Sequence, residues 1–172
     1  MGGVSILFYR REAGAAPPIG LRPGVTVKLW RPAQHGLPPP GPWRTQNLAW
    51  WAFTACSLFT DRRFFELTLW RDDHVAHRLF VTPRWPRFPF MAPGDLQVGE
   101  VWTDPERRGQ GLARAGLAEA VRQADGARLW YLVEADNLPS IRLAEAAGFM
   151  PVGRGRRTRP FGLGVLGAYR LE

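Results

Sequence analysis

The sequence predicts an α+β fold: a mixed, mostly antiparallel sheet with helices packed against it. Three observations carry this. Short runs rich in β-branched and aromatic residues recur between Gly and Pro clusters. Only three stretches have the apolar spacing of a helix. The last two of these each follow a strand, which gives one strand–helix–strand unit of the kind that joins parallel strands. A chain of 172 residues can bury about two-thirds of its unfolded surface, and residues 1–172 read as one domain.

Taken in order, Val4 to Tyr9 and Val25 to Trp30 read as strands, and His35 to Pro42 (HGLPPPGP) as a rigid loop. From Thr45 to Phe59, Leu48, Trp51, Ala52, Ala55 and Leu58 or Phe59 fall on one helical face, with Thr45 placed to cap it. Phe64 to Trp70 and His74 to Val81 form a hairpin turning at Asp72-Asp73. Thr82 to Gly94 (TPRWPRFPFMAPG) carries four prolines and cannot be regular, so Trp85, Phe88, Phe90 and Met91 must tuck against the domain or a ligand. Leu96 to Thr103 is a strand, and Leu112 to Ala124 a helix. Arg128 to Glu134 (RLWYLVE) is a strand apolar enough for a sheet interior. Asn137 caps a helix running to Ala147 that ends at Gly148. Phe149 to Gly153 and Gly164 to Leu171 close the chain as a second hairpin around Arg154, Arg156, Arg157 and Arg159.

Composition narrows the class. Hydrophobic content of 45% and charged content of 22% are those of a globular protein. No apolar run nears the roughly 20 residues of a membrane span. Val4 to Tyr9 is too short for a signal-peptide core, and Ile6 stands where a myristoylation motif needs Ser or Thr. Cys56, the sole cysteine, lies in an apolar stretch and reads as a buried thiol in a reducing cytoplasm. The net charge of +8 is almost all arginine, since Lys28 is the only lysine. Arginine pairs bidentately with phosphates, which suits a nucleotide cofactor or an acidic substrate. A recognition helix rich in Arg and Asn, or an aromatic-studded sheet motif, is lacking, so nucleic acid is not an expected partner.

The most informative segment is Arg108-Gly109-Gln110-Gly111-Leu112-Ala113, between the Leu96–Thr103 strand and the following helix. Its small residues leave backbone N–H groups open, and the helix N-terminus adds unpaired donors with a positive dipole end. Phosphate is the natural ligand of such a turn. This segment resembles the R/Q-x-x-G-x-G/A signature of the GNAT family of N-acetyltransferases. Downstream, Asn137-Leu138-Pro139-Ser140-Ile141-Arg142-Leu143-Ala144-Glu145-Ala146-Ala147-Gly148-Phe149 is similar to that family's N-x-x-S-x-x-x-(Y/A)-x-x-x-G-F segment. The likeness covers Leu96 to Gly153 in motif, and residues 1 to about 80 only in element order.

The resemblance implies a GNAT-like domain whose central sheet contains a splayed strand pair, acetyl-CoA as the cofactor, and a bacterial, cytoplasmic enzyme. Arg108, Gly109, Gln110, Gly111, Leu112 and Ala113 would hold its pyrophosphate. The main chain of Val101, Trp102 and Thr103 would pair with the pantetheine arm, and Asn137 and Ser140 would flank it from the other side. No metal is implied. Acetyl transfer to an amine needs a base to free the nitrogen lone pair and an N–H donor for the oxyanion, expected from the strand ending at Thr103. The resemblance puts Asp95 first as base, because its offset from Arg108 is similar to that of the base carboxylate in several GNAT enzymes. Glu100 on the strand comes second and His77 third, with His74 a further candidate through a water. Where many members carry a tyrosine acid, this sequence has Ala144; Tyr131 and Tyr169 are the available hydroxyls. The expected partner is a small-molecule or peptide amine, with room for a homodimer. The stretch Phe88-Pro89-Phe90-Met91, followed by Asp95-Leu96-Gln97-Val98-Gly99 and Thr103, is similar to GNAT-like proteins associated with bacterial surface-polysaccharide synthesis, which implies an amino sugar on a nucleotide as acceptor, its phosphates met by the arginines near the C-terminus. A protein N-terminal amine, a small amine or antibiotic, and a domain that binds acetyl-CoA without catalysis are the alternatives.

Overall fold

The computed structural model describes residues 5–18, 20–158 and 167–172. The strands are β1 (Ser5–Arg11), β2 (Thr26–Trp30), β3 (Phe65–Arg71), β4 (His74–Pro83), β5 (Leu96–Thr103), β6 (Leu129–Glu134), β7 (Met150–Arg157) and β8 (Tyr169–Leu171). The helices are the one-turn α1 (Pro32–His35), then α2 (Arg44–Ala55), α3 (Leu112–Gln123) and α4 (Leu138–Ala146). One sheet joins all eight strands in the order β2-β3-β4-β5-β6-β1-β7-β8. Every pairing is antiparallel except β5 with β6. This is the mixed α+β sheet the sequence predicts. β7 pairs with β8 as the expected closing hairpin, but Arg154, Arg156 and Arg157 lie on β7 itself and not between the strands; Met1, Gly2, Val4, Arg159 and Gly164 lie outside the described residues.

Sequence order did not reveal where the first strand goes. β1 inserts between β6 and β7 and pairs antiparallel with both. The sheet therefore has two halves, β2 to β5 and β6-β1-β7-β8, which meet only where Leu96, Gln97 and Val98 face Leu129, Trp130 and Tyr131. Beyond Val98 the strands part. The cause sits on the other edge of β5: the β4–β5 register shifts between Arg78 and Phe80, and Glu100 takes a left-handed φ of 54°.

Alternate residues of β4 address opposite faces. Leu79 and Val81 join Leu67, Leu69, Leu117 and Val121 in the main core beneath α3, with Ala144 and Phe149 of the α4 segment. On the other face Phe80, Phe64, Phe59 and Trp30 pack against Trp50 and Phe53 of α2. The proline loop closes a third cluster, in which Phe88 and Met91 bury against Trp130. Gly155 sits where a Cβ would collide with the Arg170 backbone and the Phe8 ring, so its missing side chain lets β8 lie close against β7.

Helix α2 departs from the expected register. Thr45 lies inside it, and the cap position, Trp43, makes no side-chain cap bond. The inward stripe is Asn47, Trp50, Trp51 and Thr54, while Leu48 and Leu58 are exposed. Cys56, expected buried, is exposed for the same reason: it follows the helix on the outward side. A buried ion pair sets this register. Arg78 Nε lies 2.5 Å from Glu66 Oε1, and both side chains are almost wholly buried. Asn47 donates to Glu66 Oε2 at 2.8 Å and accepts from Arg78 Nη2 at 3.0 Å. Buried charges need such saturation, and only a polar residue at position 47 supplies it.

Glu66→Leu should therefore cost about 3–5 kcal/mol in denaturant unfolding, because Arg78 would stay buried and unpaired. Adding Arg78→Met should recover most of that loss; no recovery in the double variant would show that the ion pair itself is the stabilising element.

Candidate active site

The parting of β5 and β6 leaves one edge of β5, from Gly99 to Thr103, without a strand partner on the β6 side. A groove of about 600 Å³ runs along this edge, with Val101, Trp102 and Thr103 on one wall and Asn137, Ser140 and Leu143 on the other. Its outer end is the loop Arg107, Arg108, Gly109, Gly111, Leu112 and Ala113. Asn137 does two things at once: its Oδ1 caps α4 by accepting from Ser140 N at 3.2 Å, and its side chain lines the groove.

The loop has the geometry of an anion cradle. Gly109 and Gly111 hold φ of 75° and 77°, and no heavy atom lies within 4 Å of where a Cβ would stand on either. Gly111 is the cap position of α3 and no side chain caps that helix, so its first N–H groups open towards the groove end. The β3–β4 turn steadies the loop from behind. Arg71 Nη1 donates to Gln110 Oε1 at 2.7 Å, and Arg107 Nη1 to Asp72 Oδ2 at 3.2 Å. Gln110 thus turns away from the groove and lines a separate cavity of about 380 Å³. Trp102 packs its ring on Trp43, 5.3 Å between centroids, so its side chain serves the α2 face.

Inward, the groove leads to a smaller cavity of about 260 Å³ that shares Val101, Asn137 and Ser140 with it. Tyr131 and Ser140 both line this cavity. Burial pushes the Tyr131 pKa up, while the Ser140 side chain pulls it the other way. Gly99, Glu100, Leu132 and Tyr169 then border a last, aromatic pocket of about 160 Å³. Glu100 stands between the two. Its Oε2 accepts from Gln46 Nε2 at 3.0 Å, and Gln46 Oε1 accepts twice from Arg78 at 3.1 Å. A chain of hydrogen bonds therefore links buried Glu66, through Arg78 and Gln46, to this carboxylate. Nothing in residue spacing announced that chain, since Gln46 is separated from Glu100 by 54 positions.

The other candidate bases lie elsewhere. Asp95, first in the expected order, is 4% exposed at the start of β5. It accepts from Trp130 Nε1 at 2.7 Å and from Ala92 N at 3.0 Å, fastening the proline loop to β6. His74 is exposed at the β3–β4 turn. His77 is fully buried, its Nδ1 2.8 Å from Thr103 Oγ1 and its Nε2 without a partner among the described residues. The ring packs so tightly on α3 that a Cβ at Gly116 would collide with it. Desolvation lowers its pKa to about 4, against a raising hydrogen bond with the Trp102 backbone. Asp95 and His77 are buried and, unlike Tyr131 and Glu100, line neither the groove nor its inner cavities, so neither meets an incoming amine there.

His77 carries a stability signature. Its folded pKa lies below the unfolded value near 6.5, so its contribution is complete above pH 6.5 and is lost as pH falls towards 4. The wild type should lose on the order of 3 kcal/mol more than a His77→Leu variant over that window, measured by denaturant unfolding at stepped pH. Parallel curves for the two proteins would contradict this.

Residues 26–149 match the model of the acetyltransferase (GNAT) family. Among solved structures, a GNAT-family protein from Novosphingobium aromaticivorans is similar at 23% identity, over 90% of this chain and 62% of that one, with a TM-score of 0.56. A GCN5-related N-acetyltransferase from Sphaerobacter thermophilus is 19% identical over 88% of this chain and 50% of that one, TM-score 0.59. A tandem GNAT protein of the clavulanic acid biosynthesis pathway is 16% identical over 90% and 52%, TM-score 0.60. At these identities the likeness is one of fold, and the chain spans roughly half to three-fifths of these structures' lengths. No curated protein matches the sequence. No helix among the described residues is long and apolar enough to cross a membrane. By the family model, which covers well over half of its length, the chain belongs to the GNAT family of acetyltransferases.

Proposed function

We propose that the protein is an acetyl-CoA-dependent N-acetyltransferase that moves an acetyl group to a primary amine by direct attack. The observation that carries this is continuity. An anion cradle, an unpaired strand edge and a hydrogen-bonded carboxylate follow one another along a single groove. The donor set fits acetyl-CoA, which supplies an activated thioester. The uncapped start of α3 and the open positive-φ glycines Gly109 and Gly111 suit a pyrophosphate, with Arg108 beside them. Backbone groups of Val101, Trp102 and Thr103 suit the amides of an extended arm, flanked by Asn137 and Ser140. Leu112 and Ala113 contribute through the first turn of α3.

In this reading Glu100 is the base. Glu100 lines both the inner cavity and the aromatic pocket, and its carboxylate is assigned there to take the proton of the incoming ammonium. Gln46 is a positioning residue, its amide fixed by Arg78 so that N–H faces the carboxylate. A β5 backbone N–H steadies the oxyanion. Tyr131 supplies the hydroxyl that Ala144 lacks, because burial keeps it protonated on the wall opposite Glu100's strand. A thiol pKa near 8.5 makes this proton helpful rather than essential. An amino sugar is the proposed acceptor, the aromatic pocket offering ring faces on which a sugar stacks. Ala144, fully buried, is also what a non-catalytic acetyl-CoA-binding domain would carry.

Calorimetry with desulfo-CoA should give a binding isotherm that Gly111→Asp abolishes, since the side chain would put a carboxylate into the anion cradle. A wild type that does not bind would overturn the cofactor assignment. With an active amine, Glu100→Gln should slow acetyl transfer at neutral pH by about 10²-fold or more, with partial rescue at high pH. An unchanged rate would remove Glu100 from the mechanism, and binding without thiol release from any amine would favour the non-catalytic domain.

A further inference from the structure

The inner cavity of about 260 Å³ at the end of the groove has two carboxylate residues on its walls. One is Glu100, the base of the acetyl-transfer reading. The other is Glu134, the last residue of β6, to which acetyl transfer gives no task. Strand geometry explains its place. Alternate residues of β6 address opposite faces, so Leu132 and Glu134 share one face, while Tyr131 and Val133 belong to the main core. Leu132 walls both the inner cavity and the aromatic pocket beyond it. β1 agrees with this facing, since Ile6 stands opposite Glu134 and lines the same cavity. Glu134 therefore lies on the face that carries the aromatic pocket, two residues further along β6 than Leu132.

The charges around this cavity do not balance. Among the described residues, no arginine, lysine or histidine lines it. Glu100 has company outside it: Gln46 donates to its Oε2, and Arg87 shares the neighbouring pocket with it. Glu134 has none. Its backbone carbonyl accepts from Asn137 N at 3.0 Å, but among the described residues its exposed carboxylate makes no hydrogen bond or ion pair. Arg157 lies over the Tyr169 ring, 5.7 Å from its centroid, and does not itself line the cavity. An unpaired carboxylate on a binding site attracts a cation and repels an anion. An acceptor with one amine leaves Glu134 unused. One with a second ammonium satisfies it while the first meets Glu100.

We propose that Glu134 sets acceptor specificity: the acceptor carries a second positively charged nitrogen, on a chain or on a ring, that pairs with Glu134 while the primary amine meets Glu100. Only the amine at Glu100 gives up its proton to attack the thioester. The nitrogen at Glu134 stays charged throughout and acts in binding and orientation. This rests on the acetyl-transfer reading above and narrows its substrate class.

The test is calorimetry on the full chain saturated with desulfo-CoA, at low salt. Butylamine, 1,4-diaminobutane and 4-aminobutanoate form a set of chains; glucosamine and 2,6-diamino-2,6-dideoxyglucose form a pair of rings. In at least one set the diamine should bind about fivefold or more tightly than the monoamine, the size of a partly exposed charge pair, and the advantage should shrink as salt rises. The set that shows it separates an aliphatic diamine from a diamino sugar. 4-Aminobutanoate should bind more weakly than butylamine. Glu134→Gln should bring the diamine down to the monoamine, Glu134→Asp should keep part of the advantage, and both should leave the desulfo-CoA isotherm unchanged. No binding by any amine, equal affinities within both sets, an advantage that survives Glu134→Gln, or a desulfo-CoA isotherm altered by that variant would overturn the inference. Failure of the wild type to bind desulfo-CoA would instead overturn the reading beneath it.

Discussion

Everything at the groove depends on β5 and β6 staying paired for three residues and then parting. A sheet edge left open inside a protein strands backbone donors and acceptors, which proteins rarely tolerate. Here the opening is enforced by the bulge at Glu100, a non-glycine residue in the left-handed region, a conformation that costs of order 1–3 kcal/mol. The surrounding structure holds it there. β4 pairs with β5 on both sides of the bulge, and Gln46 grips the Glu100 carboxylate from α2. The strain and the site are thus the same feature: one residue opens the edge and presents a carboxylate at its inner end.

Neighbouring residues of β4 show how differently two buried polar groups can be accommodated. His77 faces α3, is held neutral by desolvation, and leaves one nitrogen without a partner among the described residues. Arg78 faces α2 and keeps its charge company with Glu66, Asn47 and Gln46, with aromatic rings of Trp43 and Phe80 at 4.6 and 4.3 Å. The first is a packing element against Gly116 of α3. The second ties the α2 face to Glu100 at the inner end of the groove, so that helix and bulged strand are positioned by one polar network.

Much of the fold was legible because its signals are local. Alternation marked the strands, Asp72-Asp73 marked a turn whose two residues both adopt positive φ, and Asn137 and Gly148 marked the ends of α4. Helix α2 was legible as a helix but only partly in its facing: Trp51 and Phe59 of the expected stripe pack inward, but Leu48 and Leu58 are exposed, and a buried ion pair and the bulk of Trp50 turn Asn47 and Thr54 inward. The exposure of Cys56 follows from that rotation. The same limit applied to the candidate bases. Spacing from Arg108 favoured Asp95, but spacing does not report that Trp130 and Ala92 already occupy its oxygens.

The sequence by itself determined the family, the glycine turn at Gly109 and Gly111 and the helix that follows it, because those depend on glycine conformation, capping and short-range order. It also limited the candidate hydroxyls and carboxylates to a handful. Only the tertiary structure decided where β1 inserts, which residues of α2 face inward, and that Glu100 rather than Asp95 or His77 borders the groove's inner cavities. The reason is physical. Burial and hydrogen-bond partnership are properties of residues far apart in the chain, and a single bulged residue reverses side-chain facing in a way that no period-2 pattern records.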